Sequence, residues 1–214
     1  MKYENISTAV RQRRIEPHHI LDDYPTPPWA TRALCEWLLA EGFSIDTHTV
    51  REPAANRRHM VRPLREYFVH VEPSDIEDYG VDFPTHDYLE MRAPIPTDWT
   101  ITKPPFRLGE GFAHRAIESS RIGCAIIVRS ALTEGKGRHR DLFRPYPPRA
   151  ILQFTERVVM VKGRLEPKKT SAIAYSWVVW TPGWNARTEA HWIAPCRRRV
   201  ERVDDYARET EACL

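Results

Sequence analysis

The sequence predicts an α/β domain with a mixed, mostly parallel β-sheet and helices on both faces. Over the first two thirds of the chain, short runs rich in β-branched and aromatic residues alternate with runs whose apolar residues repeat at helical spacing. Nearer the C-terminus, the β-rich runs 150–161 and 171–180 are separated only by the basic loop 162–169. Because a short loop joins antiparallel neighbours, these two runs predict a hairpin at an edge of the sheet.

The first helix has the clearest pattern in the chain. Its apolar residues recur at i, i+3, i+4, i+7 and i+8, and they are Ala30, Ala33, Leu34, Trp37 and Leu38. Thr26 is expected to cap the helix, with Pro27 at the first helical position and Gly42 closing the last turn. Further strands are predicted at 48–53, 69–71, 98–102 and 123–132, and further helices at 57–68 and 108–117. From His191 onward there is no strong pattern.

Length and composition indicate one soluble globular domain. The chain has 214 residues, of which 42% are hydrophobic and 29% charged. We expect an N-terminal arm at 1–23, the domain at 24–199 and a tail at 200–214. The four cysteines form no CxxC pair, so no zinc or redox motif is predicted, and a reduced, cytoplasmic setting is expected. The start of the chain lacks the apolar core of a signal peptide, and no run is long enough to span a membrane.

The predicted strand at 98–102 ends abruptly in Lys103, Pro104, Pro105 and Phe106. Two consecutive prolines fix φ and donate no N–H, so the chain cannot continue in the sheet or enter a helix there. The result is a rigid turn at the carboxyl end of a strand, where ligands bind in open α/β sheets. This 103–106 turn is therefore the leading candidate for a functional site.

A series of segments in a fixed order sets the chain apart, and they are YPTPPWATRAL (24–34), EPAANRRHM (52–60), SDIEDYG (74–80), VDFP (81–84), DWTITKPPF (98–106), VRSALTEG (128–135) and ERVVMVKGRLEPKK (156–169). In the order and spacing of these segments the chain resembles, from about residue 24 to 199, the small DNA adenine-N6 methyltransferases of phages and prophages, which use S-adenosylmethionine. The resemblance implies a Rossmann-like methyltransferase fold, S-adenosylmethionine as cofactor and double-stranded DNA as substrate.

The resemblance also implies roles for individual residues. In the 103–106 turn, Pro104 would offer a backbone acceptor to the adenine amino group and Phe106 would stack on a base that has left the duplex. Asp75 would bind the ribose hydroxyls of the cofactor. The full set implied to bind cofactor is Tyr24, Thr26, Pro27, Glu52, Ala54, Asn56, Asp75, Ile76, Asp82 and Phe83. Basic residues implied to face DNA are Arg129, Lys136, Arg138, Lys162, Arg164, Lys168 and Lys169.

Three residues depart from the family pattern. Asn56 and Arg58 stand where the cofactor loop normally has glycines, which permit positive φ and close approach to a ligand. Asn tolerates left-handed backbone, whereas the bulk of Arg58 must point away or fill part of the cofactor site. Lys103 stands where the family has Asn or Asp, and a protonated lysine cannot accept a hydrogen bond. The turn works only if burial lowers the pKa of Lys103 enough to yield a neutral amine.

Other readings stay open at this point. Thr26 and Asp75 could serve only as caps, Phe106 could be ordinary core, and the basic loop could be a solvated hairpin. The net charge of +3 is too small to indicate nucleic acid by itself. The chain could therefore be an active methyltransferase, a non-catalytic relative that binds DNA, cofactor or a protein, or the same fold acting on another nucleobase.

Overall fold

A seven-stranded sheet forms the centre of the computed structural model, which describes residues 22–91 and 95–206. The strand order is β2-β1-β3-β4-β6-β5-β7. The strands are β1 Thr49–Glu52, β2 His70–Pro73, β3 Thr97–Thr102, β4 Ser120–Arg129, β5 Ala150–Phe154, β6 Tyr175–Trp180 and β7 Glu189–Ile193. Most of the predicted N-terminal arm and the end of the predicted tail lie outside the described residues.

The sheet is mixed, as predicted. Strands β2, β1, β3 and β4 run parallel to one another, whereas β6 is antiparallel to both β4 and β5. The predicted antiparallel pair is thus confirmed, but its position at the edge is wrong. Strand β7 pairs in parallel with β5 and becomes the edge strand itself.

Helices cover both faces of the sheet, which also confirms the predicted class. They are α1 Pro28–Ala40, α2 Val61–Leu64, α3 Gly109–Ser119, α4 Lys136–Arg138 with a π-helical turn at His139–Phe143, and α5 Arg197–Val200. Alternate residues of β4 enter two separate cores because successive strand side chains point to opposite faces. Ile127 packs in the core shared with α1 and α2, whereas Ile126 packs with α3.

The start of α1 differs from the prediction. Pro27 is the cap residue and Pro28 the first helical residue, and the Thr26 side chain makes no capping hydrogen bond. A proline that precedes another proline cannot take helical backbone easily, which moves the boundary by one residue. The other end is as predicted, because Gly42 follows the last turn with a φ of +87°.

The second helix is much shorter than the predicted 57–68. Arg58 has a φ of +76°, which no right-handed helix accommodates, so helical backbone begins only at Val61. The chain leaves the helix after Leu64, one residue beyond Pro63. The apolar side chains predicted to face inward are nevertheless buried, namely Met60, Val61, Leu64 and Phe68.

A buried cation fastens the segment after α5 to the domain. The Arg32 guanidinium in α1 forms ion pairs with Asp205 at 2.7 Å and with Glu66 at 2.8 Å. It also donates to the backbone carbonyl of Val200 at 2.9 Å. The side chain of Arg32 is only 3% exposed, so these partners are needed to offset the cost of burying its charge.

Candidate functional site

A cleft opens at the carboxyl ends of β1, β2 and β3. It encloses about 760 Å³ of empty space, a volume that includes open solvent at its mouth. The residues predicted from the sequence that line it are Tyr24, Thr26, Ala54, Asn56, Asp75, Ile76, Lys103 and Pro105. The structure therefore brings together four segments that are far apart in the sequence.

The loop after β1 has the backbone geometry of a glycine-rich loop without the glycines. Asn56 and Arg58 are the non-glycine residues with positive φ in the described chain, at +47° and +76°. These are the two positions at which the resemblance predicts glycine. The guanidinium of Arg58 lies 5.3 Å from the ring centre of Phe83, and Arg58 does not line the cleft. Its bulk therefore points away from the cleft.

Asp75 follows β2 and faces this loop. Its carboxylate accepts the backbone N–H of Asn56 at 2.9 Å and that of Glu77 at 3.1 Å. Burial raises the pKa of Asp75, and these backbone donors oppose the shift. The carboxylate thus caps its own turn and also presents an acceptor in the cleft wall, so a capping role and a ligand-binding role of Asp75 are compatible.

Glu52 lies at the end of β1, behind the cleft wall rather than in it. Its Oε1 atom accepts from the backbone N–H of Ala54 at 3.0 Å and from the Thr102 hydroxyl at 2.6 Å. Within the described chain, the buried Oε2 atom has no hydrogen-bond partner. Full burial raises the pKa of Glu52 to about 8, against the opposing effect of Thr102. The side chain is therefore largely protonated at neutral pH.

Lys103 begins the turn after β3 and is 8% exposed. Burial lowers the pKa of its amine, although the nearby carboxylates of Asp22, Asp23 and Asp75 oppose the shift. The Nζ atom donates to the backbone carbonyl of Asp22 at 2.8 Å. A neutral amine can donate one hydrogen in this way and still keep a lone pair that accepts another.

The ring of Phe106 is half-buried and lies beside the cleft. Lys103 Nζ is 5.0 Å from the ring centre, and the guanidinium of Arg129 is 4.2 Å from it. The rings of Tyr24 and Tyr175 lie 5.9 and 6.0 Å away. Pro104 is buried, and neither Pro104 nor Phe106 is among the residues that line the cleft. Phe106 thus packs against the main core, and its ring lies near two basic side chains.

Four residues predicted to bind cofactor do not line the cleft, namely Glu52, Pro27, Asp82 and Phe83. Pro27 packs beside Trp29 at a separate small cavity. Asp82 is exposed, and the half-buried Phe83 contacts Arg58 instead. Three residues, 84–86, separate this pair from a second acid–aromatic pair, Asp87 and Tyr88, that does line the cleft. The sequence contains both pairs, and local pattern alone does not distinguish them.

Other residues of the cleft carried no signal in the sequence. Asp22 lies in the predicted arm, and His59 lies in the 52–60 motif without an assigned role. Tyr79 lines the cleft near Arg57, whose guanidinium is 5.2 Å from its ring centre. A long-range contact such as that of Asp22 has no local pattern by which it could be found.

The basic residues predicted to face DNA differ in their surroundings. Arg138 donates to backbone carbonyls of the preceding turn, including that of Glu134, and therefore supports local structure. Lys136, Lys162, Arg164, Lys168 and Lys169 are exposed. Arg164 lies 3.6 Å from Glu166, and the backbone N–H of Gly163 donates to the Asp23 carbonyl at 2.9 Å. The basic loop thus meets the segment that borders the cleft.

Neither a protein-family model nor a curated protein matches the chain. Solved structures do. A protein assigned as an RNA methyltransferase from Pyrococcus horikoshii has a TM-score of 0.59 at 16% identity, over 81% of this chain and 94% of the other. A modification subunit assigned to a type I restriction enzyme of Vibrio vulnificus YJ016 has a TM-score of 0.54 at 14% identity, over 80% of this chain and 47% of the other.

A third match contains the cofactor. Magnesium protoporphyrin IX methyltransferase from Synechocystis PCC 6803, with bound S-adenosylmethionine, has a TM-score of 0.50 at 10% identity, over 72% of this chain and 78% of the other. The fold is therefore the Rossmann-like fold of the S-adenosylmethionine-dependent methyltransferases. Identities this low establish the fold, whereas cofactor and substrate have to be argued from the site.

The described residues contain neither a metal-binding cluster nor a membrane-spanning helix. In residues 22–91 and 95–206, no three His, Cys, Asp or Glu side chains are grouped so that they could hold a metal ion. No helix in these same ranges has the length and apolar character needed to cross a membrane.

Proposed function

We propose that the chain binds S-adenosylmethionine in the cleft and transfers its methyl group to the N6 amino group of adenine in DNA. One observation carries the proposal. Lys103 and Pro105 of the rigid 103–106 turn line the same cleft as Asn56 and Asp75, at the carboxyl ends of three parallel strands. This shared cleft supports the pairing of a candidate acceptor turn with a candidate nucleoside-binding wall.

The residues present fit the cofactor. Asp75 offers a fixed carboxylate to the ribose hydroxyls, and Asp87 and Tyr88, which line the cleft, would contact the adenine ring of the cofactor in place of Asp82 and Phe83. The Thr26 hydroxyl is buried, lines the cleft and has no partner among the described residues. An unpaired buried hydroxyl is costly, so it fits a polar ligand group such as the amino-acid end. When bound, the cofactor supplies a methyl group on a positively charged sulfur.

The turn would orient the substrate amine. The Pro104 carbonyl has no competing N–H in the turn and can accept from the amino group, and Phe106 can stack on the extruded base. Lys103 fits this role only as a neutral amine, and its burial favours that form. Because the sulfonium is positive, a neutral Lys103 also removes a like-charge contact.

The exposed basic residues support a polyanionic substrate. Lys162, Lys168 and Lys169 lie on the loop that meets Asp23 at the border of the cleft. Such residues would contact phosphates and position the duplex without reading its sequence. Because such contacts are made to phosphates rather than to bases, we expect the target specificity to be short or loose.

Transfer of tritiated methyl from S-adenosylmethionine to duplex DNA tests the proposal. We expect label in an adenine-containing duplex, recovered as N6-methyladenine, and none in a duplex that lacks adenine. Phe106→Ala should reduce transfer, with Phe143→Ala, on the opposite face of the sheet, as the matched control. Tight cofactor binding without transfer to any duplex would contradict the catalytic part of the proposal.

A second candidate is a non-catalytic relative that binds cofactor or DNA. One contact favours it, namely that Lys103 Nζ already donates to the Asp22 carbonyl and offers only hydrogens if it is protonated. The Lys103→Asn variant distinguishes the two candidates. A gain in transfer from zero would identify Lys103 as the cause of an inactive site, and transfer by the unaltered chain would exclude this candidate.

A further inference from the structure

Asp22 contacts the 103–106 turn through both its side chain and its backbone. Its Oδ2 atom accepts the backbone N–H of Phe106, and its carbonyl accepts from Lys103 Nζ at 2.8 Å. Asp22 also lines the cleft. A carboxylate is therefore present at the turn, supplied by a segment more than 80 positions earlier in the chain.

The neighbouring Asp23 fixes this position. Its carboxylate forms an ion pair with Arg57 at 2.7 Å and accepts from the Asn56 side-chain amide at 2.8 Å. Its carbonyl accepts the backbone N–H of Gly163 at 2.9 Å. The side chain and the carbonyl of Asp23 are thus both held in place. They keep Asp22 between the loop containing Asn56 and the 103–106 turn, so the orientation of Asp22 is set before any ligand binds.

The second carboxylate oxygen of Asp22 can accept a hydrogen bond, as the Asn or Asp side chain does that the family has at the position of Lys103. A carboxylate oxygen accepts more than one hydrogen bond, whereas a protonated lysine accepts none. Oδ1 receives no hydrogen bond from residues 22–91 and 95–206, while Oδ2 is held by Phe106. The carboxylate is thus anchored by one oxygen and has the other available.

We propose that Asp22 supplies the side-chain acceptor for the substrate amino group in place of Lys103, whose Nζ atom is engaged with the Asp22 carbonyl. This inference rests on the proposed function and deepens it. In this arrangement, Asp22 Oδ1 and the Pro104 carbonyl accept the two amino hydrogens. Lys103 acts through Asp22, because its hydrogen bond to the carbonyl fixes the Asp22 backbone.

Asp22→Asn is the sharpest test. The Asn carbonyl oxygen can still accept from Phe106 N–H, which leaves an NH₂ donor facing the substrate in place of an acceptor. We expect methyl transfer to fall on the order of 100-fold, with cofactor affinity unchanged within about twofold. Asp22→Ala should lose transfer similarly. Adding Lys103→Asn to Asp22→Asn restores an acceptor at the turn and should recover transfer.

The outcomes separate this inference from the proposed function. Wild-type transfer by Asp22→Asn would overturn the role of Asp22 and leave the proposed function standing. A lack of recovery in the double variant, with its thermal unfolding unchanged, would also count against an acceptor role. No transfer by either the unaltered chain or Lys103→Asn would overturn the proposed function, and this inference with it.

Discussion

The Thr102 hydroxyl donates to Glu52 Oε1 at 2.6 Å and so joins the carboxyl ends of β1 and β3 directly beneath the cleft. The contact links the strand that leads to the loop containing Asn56 with the strand that leads to the 103–106 turn. It satisfies one oxygen of a fully buried carboxyl group, and the second oxygen has no partner in the described chain. Glu52 is therefore held in its neutral form by the fold.

This contact predicts a specific pH dependence of stability. The pKa of Glu52 is raised from 4.5 to about 8 on folding, so the folded state binds the extra proton between these values. The stabilising contribution is fully present below pH 4.5 and is lost as the pH rises through about 8. Glu52→Gln should remove this loss, which amounts to about 2–5 kcal/mol. Urea unfolding of both proteins from pH 5 to pH 9 measures the difference, and parallel curves would contradict it.

The left-handed backbone of Arg58 predicts that Gly is preferred there to Ala. Both substitutions remove the guanidinium from the Phe83 ring, but only Ala retains a Cβ at a φ of +76°. Arg58→Gly should therefore be more stable than Arg58→Ala by about 1–2 kcal/mol. Chemical unfolding of the two variants measures the free energy of unfolding. Equal stability would show that the loop takes another conformation.

Gly123 in β4 leaves room for the ring of Trp99 in β3. A Cβ at Gly123 would lie 2.5 Å from this ring and 2.9 Å from the carbonyl oxygen of Trp180. Gly123→Ala should therefore destabilise the fold by about 1–3 kcal/mol or more. The matched control is Gly137→Ala, where a Cβ meets nothing within 4 Å. Thermal unfolding compares them, and equal transition temperatures would contradict the packing.

Removal of the buried cation Arg32 should lower the free energy of unfolding by a large amount. Arg32→Ala would leave Asp205, 5% exposed, without its partner, and breaking a buried pair costs about 3–5 kcal/mol. Arg140→Ala is the control, because that side chain is 74% exposed and pairs with its neighbour Asp141. Only Arg32→Ala should shift the denaturation midpoint. A shift no larger than that of the control would show that Arg32 does not hold the segment after α5.

The sequence allowed most of the fold to be predicted because its central strands are buried on both faces. Strand β4 contains the apolar run 124–128, and the observed bounds of β1, β3 and β4 agree with the predicted ones within about three residues. Strand β7 was missed because it is an edge strand. Its residues are mostly exposed, so no alternation of apolar and polar side chains marks it.

The candidate site could be predicted only where its residues belong to a local motif. Asn56 and Asp75 belong to the loops after β1 and β2, and they meet because these parallel strands end at the same edge of the sheet. Asp22 could not be found, since its contact with Lys103 joins distant segments and leaves no periodic signal. Asp82 and Phe83 were assigned through the resemblance of the VDFP segment, whereas a second acid–aromatic pair, Asp87 and Tyr88, lines the cleft.

Calorimetric titration with S-adenosylmethionine tests the central claim that the cleft is a cofactor site. We predict one site per chain with a Kd below about 1 mM. Asp75→Asn keeps an oxygen for the Asn56 N–H but loses the carboxylate, so affinity should fall at least about tenfold. Asp78→Ala, an exposed acid three residues on and outside the cleft lining, should bind as the unaltered chain does. Absence of binding by the unaltered chain, or equal binding by Asp75→Asn, would contradict the account.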